Sequence, residues 1–544
     1  MKVLILGGVA AGTKAAARLL REDRSCEVTV LTKGSDISYA GCGLPYYVGG
    51  VIREKSALIV NTPEKFAALT GAKVKTLTEA VAVHPDRHVV EARDLTTGET
   101  AEYGYDKLVI ATGASPFIPS AQGLDLKNVF VMRTPDDAIA LRAAVEAGEI
   151  KRAVVAGGGF IGLEVAENLA VRGVRTTVID FAPHVLPNFL DPELSEYVEN
   201  RMAEAGVMPM TGVSLEGAEG SGRVEKVLTS KRAMKADALV LAIGIRPNTA
   251  FLEGSGIEMF KGTILTDRQL RTNVPDVYAA GDCAMVTNRQ TGKPAWSPMG
   301  STANIAGRIL AGNLAGGQTA YPGVLGTGVA KLPGGLNAGR TGLTETAARA
   351  EGYDVETVLT VVDDKAHYYP GAGSFIVKLT ADRTTRKLLG VQVLGGGAVD
   401  KIADIGVTAI SLGATVDQLA AMDFAYAPPF STAIHPFAHS VNILMNKLDG
   451  ALESFTPVEY AAGAAEGYEV IDCALAPSLP GRKYLDLTRV EGEVPGLARD
   501  ARLLLVCTKG KRAYLTQNRL KYFGYTNTRV LEGGTTFTEI EDGE

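Results

Sequence analysis

One pattern occurs twice in this chain and restricts its fold more than any other feature: an apolar strand, a turn of closely spaced glycines, a helix of small residues and a second strand. The first copy runs Lys2-Val3-Leu4-Ile5-Leu6, Gly7-Gly8-Val9-Ala10-Ala11-Gly12, an Ala-rich helix to about Leu20, then a strand from Glu27 to Leu31. The second runs Ala153-Val154-Val155-Ala156, Gly157-Gly158-Gly159-Phe160-Ile161-Gly162, a helix through Ala170, then Thr176-Thr177-Val178-Ile179. Each reads as a βαβ unit. Its glycines allow a sharp turn and bring a helix N-terminus against a pyrophosphate, whose charge the free N–H groups and the dipole stabilise. Asp180 ends the second copy at the spacing expected for bidentate contact with a ribose 2′-OH, and it would repel a 2′-phosphate, so NADH is expected over NADPH. In the first copy Val9 replaces the second glycine, and Thr32, followed by Lys33, stands where an acidic residue usually holds the ribose.

With 544 residues the chain exceeds a single core and should form three or four domains. A net charge of −6 offers no broad positive field for nucleic acid or an anionic membrane. No segment is apolar for long enough to span a bilayer, and Met1-Lys2 leads straight into the first strand without a signal-peptide pattern. The five cysteines, Cys26, Cys42, Cys283, Cys473 and Cys507, are odd in number and far apart, which argues against a disulfide framework or a zinc site. No metal is expected, and a reducing cytoplasm fits best.

Two further strands end in small residues where the chain crosses between domains: Tyr105 to Ile110 leading to Ala111-Thr112-Gly113, and its echo Ala238 to Ile243 leading to Gly244. A third segment, Thr272 to Ala280, ends in Gly281-Asp282, whose carboxylate can accept hydrogen bonds from a ribityl chain. These motifs in this order resemble the pyridine nucleotide-disulfide oxidoreductase family over roughly residues 1–450. The resemblance implies an α/β fold with two nested Rossmann-like dinucleotide-binding domains, an α+β dimerisation domain and a homodimer. FAD would bind 1–115 and 246–324, NADH would bind 116–245, and 325–452 would dimerise.

The redox sulfur is expected in Ile37-Ser38-Tyr39-Ala40-Gly41-Cys42-Gly43-Leu44-Pro45-Tyr46-Tyr47, where Cys42 is the sole cysteine. The dithiol branch of the family places a partner five residues on, and here that residue is Tyr47. The second sulfur must therefore come from outside, as a mixed disulfide or persulfide, or Cys42 is oxidised to a sulfenic acid. The flanking glycines are expected to allow close approach of flavin and substrate, and a helix N-terminus plus a stacked flavin to favour the thiolate. The first glycine turn lacks the histidine of the peroxide- and oxygen-reducing relatives. The chain is more similar to the coenzyme A-disulfide reductases, both here and in Asp423-Phe424-Ala425-Tyr426-Ala427-Pro428-Pro429-Phe430-Ser431. That resemblance implies that Tyr426, with Tyr368, presents a hydroxyl to the active cysteine of a partner subunit. Arg18, Arg21, Ser38, Asn304 and Arg308 are the candidates for coenzyme A, although Ile305 stands where relatives tend to be basic. His435 is read as a packing residue, since no orienting glutamate follows it.

After a small-residue linker at 453–467, residues 468–544 form a compact α/β pattern with Cys507-Thr508-Lys509-Gly510-Lys511-Arg512 between a strand and a helix. This tail resembles a small rhodanese-like domain, implying a persulfide on Cys507 cradled by backbone N–H groups and a closing arginine, and the candidate cations on the loop are Lys509 and Arg512. Pro480-Gly481 survives from that motif, but Asp472 is followed by Cys473 and Ala474 where an arginine is common. The tail is either a sulfur carrier or a docking module.

The expected enzyme moves electrons from NADH through FAD to Cys42 and reduces coenzyme A disulfide, coenzyme A persulfide or polysulfide. The alternatives are an NADH oxidase working through a sulfenic acid, and a sulfur-delivery or redox-sensing flavoprotein.

Overall fold

The computed structural model describes residues 1–540, which fall into two units, 1–183 with 206–325 and 184–205 with 326–540. In the first unit the repeated pattern builds two parallel five-stranded sheets. One has the order Val277–Ala279, Lys107–Ile110, Lys2–Leu6, Glu27–Leu31, Lys73–Lys75. The other has the order Val207–Met210, Arg175–Ile179, Arg152–Ala156, Ala238–Leu241, Val129–Phe130. Each half also carries a three-stranded antiparallel meander, Thr78–His84 to Thr100–Gly104 and Leu215–Glu219 to Ala233–Lys235. The chain passes between the halves on two short antiparallel strands, Ala114–Pro116 and Ile245–Pro247, which matches the expected nesting.

Small residues make the first helix, Ala10–Glu22, a tight neighbour. Ala11, Ala15 and Leu19 pack with Ala303, Ala306 and Leu310 of the helix Gly300–Leu314. A β-carbon on Gly307 would lie 2.5 Å from the Ala11 carbonyl oxygen.

The second unit holds an antiparallel sheet, Gly328–Leu332, Leu336–Gly342, Leu388–Gly395, Ser374–Asp382, Val355–Asp363, with the helices Val399–Leu412 and Pro436–Leu448 in its core. It also holds a five-stranded parallel sheet, Ser454–Phe455, Thr528–Leu531, Leu503–Val506, Glu469–Asp472, Lys483–Tyr484. The expected linker at 453–467 is therefore folded. Ser454–Phe455 forms the sheet edge, and Thr456 with Glu459 makes a capping box for the helix Pro457–Ala461. Lys447 joins the two sheets: its Nζ meets Glu532 Oε1 at 2.6 Å and the Thr357 carbonyl at 2.9 Å, while Glu532 Oε2 accepts from Leu359 N at 2.7 Å.

Residues 184–205, expected within the NAD-binding segment, belong to this second unit. Buried Lys378 lies 3.0 Å from Asp191 and 2.8 Å from Glu345, and it also pairs with Glu193. Gln392 donates to Asp191 at 2.6 Å. Burial pushes the Asp191 carboxyl up, but Lys378 and these hydrogen bonds overcome it and hold the group at about 2. Among the described residues no helix is long and apolar enough to cross a membrane. Lys378→Met would leave three carboxylates without their shared cation, so it should destabilise this unit by about 3–5 kcal/mol, read as a lower unfolding midpoint. An unchanged midpoint would rule out this role.

Candidate active site

Both glycine turns are shaped by backbone contacts. A β-carbon on Gly7 would lie 2.0 Å from the Ala111 carbonyl oxygen, and one on Gly12 would lie 1.9 Å from that of Gly7. In the second turn the values are 2.2 Å for Gly157 against Ala242 and 1.9 Å for Gly162 against Gly157. Gly7 and Gly157 also hold φ of 114° and 113°, which side chains rarely adopt. Gly8 packs against Thr32 and Ile37. Gly159 differs: a β-carbon there meets nothing within 4 Å, so the space beside it is open.

Threonine side chains cap the helices Pro63–Thr70, Pro135–Glu146, Glu345–Ala350 and Val416–Ala420. The two helices that leave the glycine turns, Ala10–Glu22 and Phe160–Val171, have no side-chain cap and no acidic residue in their first turn. Their terminal N–H groups suit pyrophosphate, so the residues fit two dinucleotides. Asp180 follows the second sheet's Arg175–Ile179, and its Oδ2 accepts from Gly158 N at 2.6 Å, beside the turn where a ribose would lie. Phe160 and Ile161 open that helix, and Gly244, at φ 123°, follows the adjacent strand.

On the FAD side, Ala111 N donates to Leu6 O at 2.7 Å. Thr112 and Gly113 are tied to Asn248, which accepts from Thr112 Oγ1 at 2.7 Å and donates its N–H to Gly113 O at 2.9 Å. Asp282, after Gly281 at φ 85°, pairs with Arg133 at 2.9 Å, and its carbonyl accepts from Trp296 Nε1 at 2.8 Å. Lys33 stays at the surface, 2.8 Å from Glu79.

Cys42 is solvent-accessible in a single turn, Gly41–Gly43, that leads into the short helix Leu44–Val48. That helix touches Phe160–Val171 so closely that a β-carbon on Gly49 would lie 2.0 Å from Asn168 Oδ1. The contact brings in Glu164, on the helix of the second βαβ unit, to which the sequence assigned no role. Tyr46 donates its hydroxyl to Glu164 at 3.2 Å, and burial pushes the Glu164 carboxyl up to about 7.

Although its surface is open, Cys42 is crowded by protein, and this crowding raises its thiol first, with Glu164 and Asp282 adding to the effect and Arg133 opposing it. These protein groups taken together raise the thiol; the stacked flavin of the sequence expectation would act in addition to them. Tyr47, in the place of a second thiol, is a packing residue: the Arg142 guanidinium lies 4.4 Å above its ring and donates to its carbonyl at 3.3 Å. Ser38 is held at φ 47°, and its N–H donates to Gly8 O at 2.9 Å, so its backbone braces the first turn. Arg18 is paired with Glu22 on its own helix, whereas Arg21, Asn304 and Arg308 are exposed.

In the second unit the hydroxyls of Tyr368 and Tyr426 are 3.4 Å apart on an exposed surface, and this bond raises the Tyr426 hydroxyl. His435 is buried against Phe424, and burial lowers its imidazole to about 4, in keeping with a packing role. Cys507 follows the strand Leu503–Val506, and its sulfur accepts from Ala513 N at 3.4 Å in the first turn of the helix Lys511–Tyr522. The two cations expected to cradle it are engaged elsewhere. Lys509 binds Asp363 at 2.5 Å and Ser374 at 2.9 Å, and Arg512 Nε donates to the Cys473 carbonyl at 3.0 Å.

The model for pyridine nucleotide-disulphide oxidoreductases matches residues 1–303, and the model for their dimerisation domain matches residues 334–438. The chain belongs to the pyridine nucleotide-disulphide oxidoreductase family. It is a flavoprotein oxidoreductase that works with FAD and a pyridine nucleotide.

Among its relatives is the NAD(P)H coenzyme A polysulfide/persulfide reductase of Pyrococcus horikoshii, 36% identical over 81% of this chain and 98% of the relative. An NADH oxidase of Methanocaldococcus jannaschii is 33% identical over 82% of this chain and 99% of its own. The structure of a NAD-dependent persulfide reductase from A. fulgidus covers 99% of this chain and 100% of its own, with a TM-score of 0.93 and 34% identity, so the likeness extends through the tail.

Two outcomes follow from this geometry. Asp180→Asn removes the charge expected at the ribose, so kcat/KM for NADH should fall by about one to two orders of magnitude while NADPH loses less. Equal parental kcat/KM for the two nucleotides would refute the assignment. Glu164→Gln removes a carboxylate that is ionised above about pH 7. Loss of that negative charge should lower the Cys42 thiol and speed its alkylation at about pH 8, with the two proteins converging at about pH 6, where Glu164 is already neutral. Identical alkylation profiles would exclude coupling between the two groups.

Proposed function

We propose that the chain uses NADH to reduce the sulfur–sulfur bond of coenzyme A disulfide, coenzyme A persulfide or polysulfide through Cys42. One observation carries this reading: Cys42 is free and accessible, and Tyr47, locked under Arg142, occupies the place of a second thiol. The second sulfur therefore belongs to the substrate. When bound, FAD supplies the two-electron passage from nicotinamide to sulfur.

Cys42 attacks one sulfur of the substrate, a mixed disulfide forms, and the other sulfur leaves with the electron pair and takes up a proton. Reduction of the mixed disulfide by two electrons returns Cys42 and frees the second thiol. Tyr426 and Tyr368 of the partner subunit in a homodimer supply the proton, a role supported by their paired, exposed hydroxyls. Arg21 and Arg308, both exposed, are the cations proposed for the phosphates of coenzyme A. Cys507, at a helix N-terminus, is proposed to carry sulfane sulfur to this chemistry. Five free cysteines among the described residues support work in a reducing compartment such as the cytoplasm.

Cys42→Ser should retain FAD and NADH oxidation with an artificial acceptor, yet lose sulfur reduction to background, because a serine cannot form the mixed disulfide. The test is steady-state turnover with NADH and, in turn, coenzyme A disulfide, coenzyme A persulfide, polysulfide and oxygen. Parental persulfide turnover in the variant would overturn the mechanism. Oxygen as the best acceptor would favour the oxidase activity named for the Methanocaldococcus relative.

A further inference from the structure

Cys473 has no part in the chemistry described so far, yet it stands beside Cys507. In the tail sheet Glu469–Asp472 pairs in parallel with Leu503–Val506, Asp472 opposite Val506. The ladder continues by one bond, Cys473 N to Val506 O at 2.7 Å, which in a parallel pair places Cys473 opposite Cys507. The two side chains also share a face. Ile471, Cys473, Leu505 and Cys507 enter one apolar cluster, while Val470, Leu504 and Val506 enter the cluster on the other side. Neighbouring strands lie about 4.8 Å apart, within the roughly 4.4–6.8 Å between Cα atoms that a disulfide requires. Arg512 ties the two ends together, since it opens the helix above Cys507 and donates to the Cys473 carbonyl.

We propose that Cys473 is the resolving thiol of the tail: it discharges a persulfide on Cys507 as hydrogen sulfide and leaves a Cys473–Cys507 disulfide. This rests on the reading of Cys507 as a sulfur carrier. Cys473 Sγ attacks Cys507 Sγ, and the bond from Cys507 to the terminal sulfur breaks. The electron pair leaves with that sulfur, which takes the Cys473 proton. One thiol and one persulfide become one disulfide and one hydrogen sulfide, so the sulfane sulfur is reduced, the pair is oxidised, and no external oxidant enters. Two equivalents of a small thiol then reopen the disulfide and leave as a small disulfide.

Burial pushes the Cys473 thiol up to about 12, so at rest it keeps its proton and stays inert towards solutes. Cys473 is fully buried and Cys507 is 4% exposed, which favours transfer within the pair over attack by a bulky thiol.

The experiment exposes the full-length holoenzyme to inorganic polysulfide without NADH, alkylates it, and maps the tail peptides by mass spectrometry alongside released sulfide. The parental protein should yield a Cys473–Cys507 linked pair. Cys473→Ala and Cys473→Ser should instead hold a persulfide on Cys507 with a lifetime extended severalfold, and Cys507→Ser should yield neither product. Far-UV circular dichroism and the thermal unfolding midpoint report that each variant is folded. A parental persulfide as long-lived as that of the Cys473 variants would overturn the resolving role and leave the carrier reading intact. Absence of both persulfide and linked pair in the parental protein and in the Cys473 variants would instead remove the carrier reading, and the resolving role with it.

Discussion

The carbonyl oxygen of Ala111 lies 2.0 Å from where Gly7 would carry a β-carbon, and that of Ala242 stands 2.2 Å from the same point on Gly157. Each contact locks the end of one strand against the turn that follows its neighbour. The helix beyond starts from that turn, and its N-cap residue makes no side-chain cap hydrogen bond. Two anion sites result from steric exclusion, before any polar side chain is counted. The same geometry sets the path of Thr112 and Gly113 onto Asn248, and thereby the strands that carry the chain between the two halves.

Charge around Cys42 is balanced on this scaffold. Arg133 favours a thiolate, but it is paired with Asp282, and Glu164 adds a carboxyl whose burial keeps it near neutrality. A thiol in such a setting is held back until something beyond these groups compensates it. The short helix Leu44–Val48 and the helix Phe160–Val171 touch through Gly49 and Asn168, and this contact brings the carboxyl that opposes the thiolate close to the cysteine.

In the second unit, buried charges do the joining. Lys378 gathers Asp191, Glu193 and Glu345, and Lys447 gathers Glu532 with the Thr357 carbonyl. Each cation is enclosed by several oxygen partners, which is the condition under which a buried ion pair specifies one arrangement of its neighbours. The first fastens the helix Pro192–Glu204 to the antiparallel sheet, and the second fastens the tail to it.

The nesting of two dinucleotide folds, the turns at Gly7 and Gly157, Asp180 and the single cysteine at 42 were all legible in the chain. The two turns and Asp180 depend on local rules, since glycine spacing, strand periodicity and the residue at a fixed offset act within about 30 residues; the nesting and the cysteine were legible through the family resemblance that these motifs carry. Three features were not legible in this way. Glu164 meets Tyr46 across 118 positions, Lys378 meets Glu193 across 185, and Lys509 turns to Asp363 rather than to the sulfur beside it. The segment 453–467 looked like a linker because its residues are small, whereas pairing with Thr528–Leu531 makes part of it a strand. Local sequence carries the turn and the strand; which distant charges come to share one buried space depends on packing, because only the folded chain removes the water that would otherwise screen them.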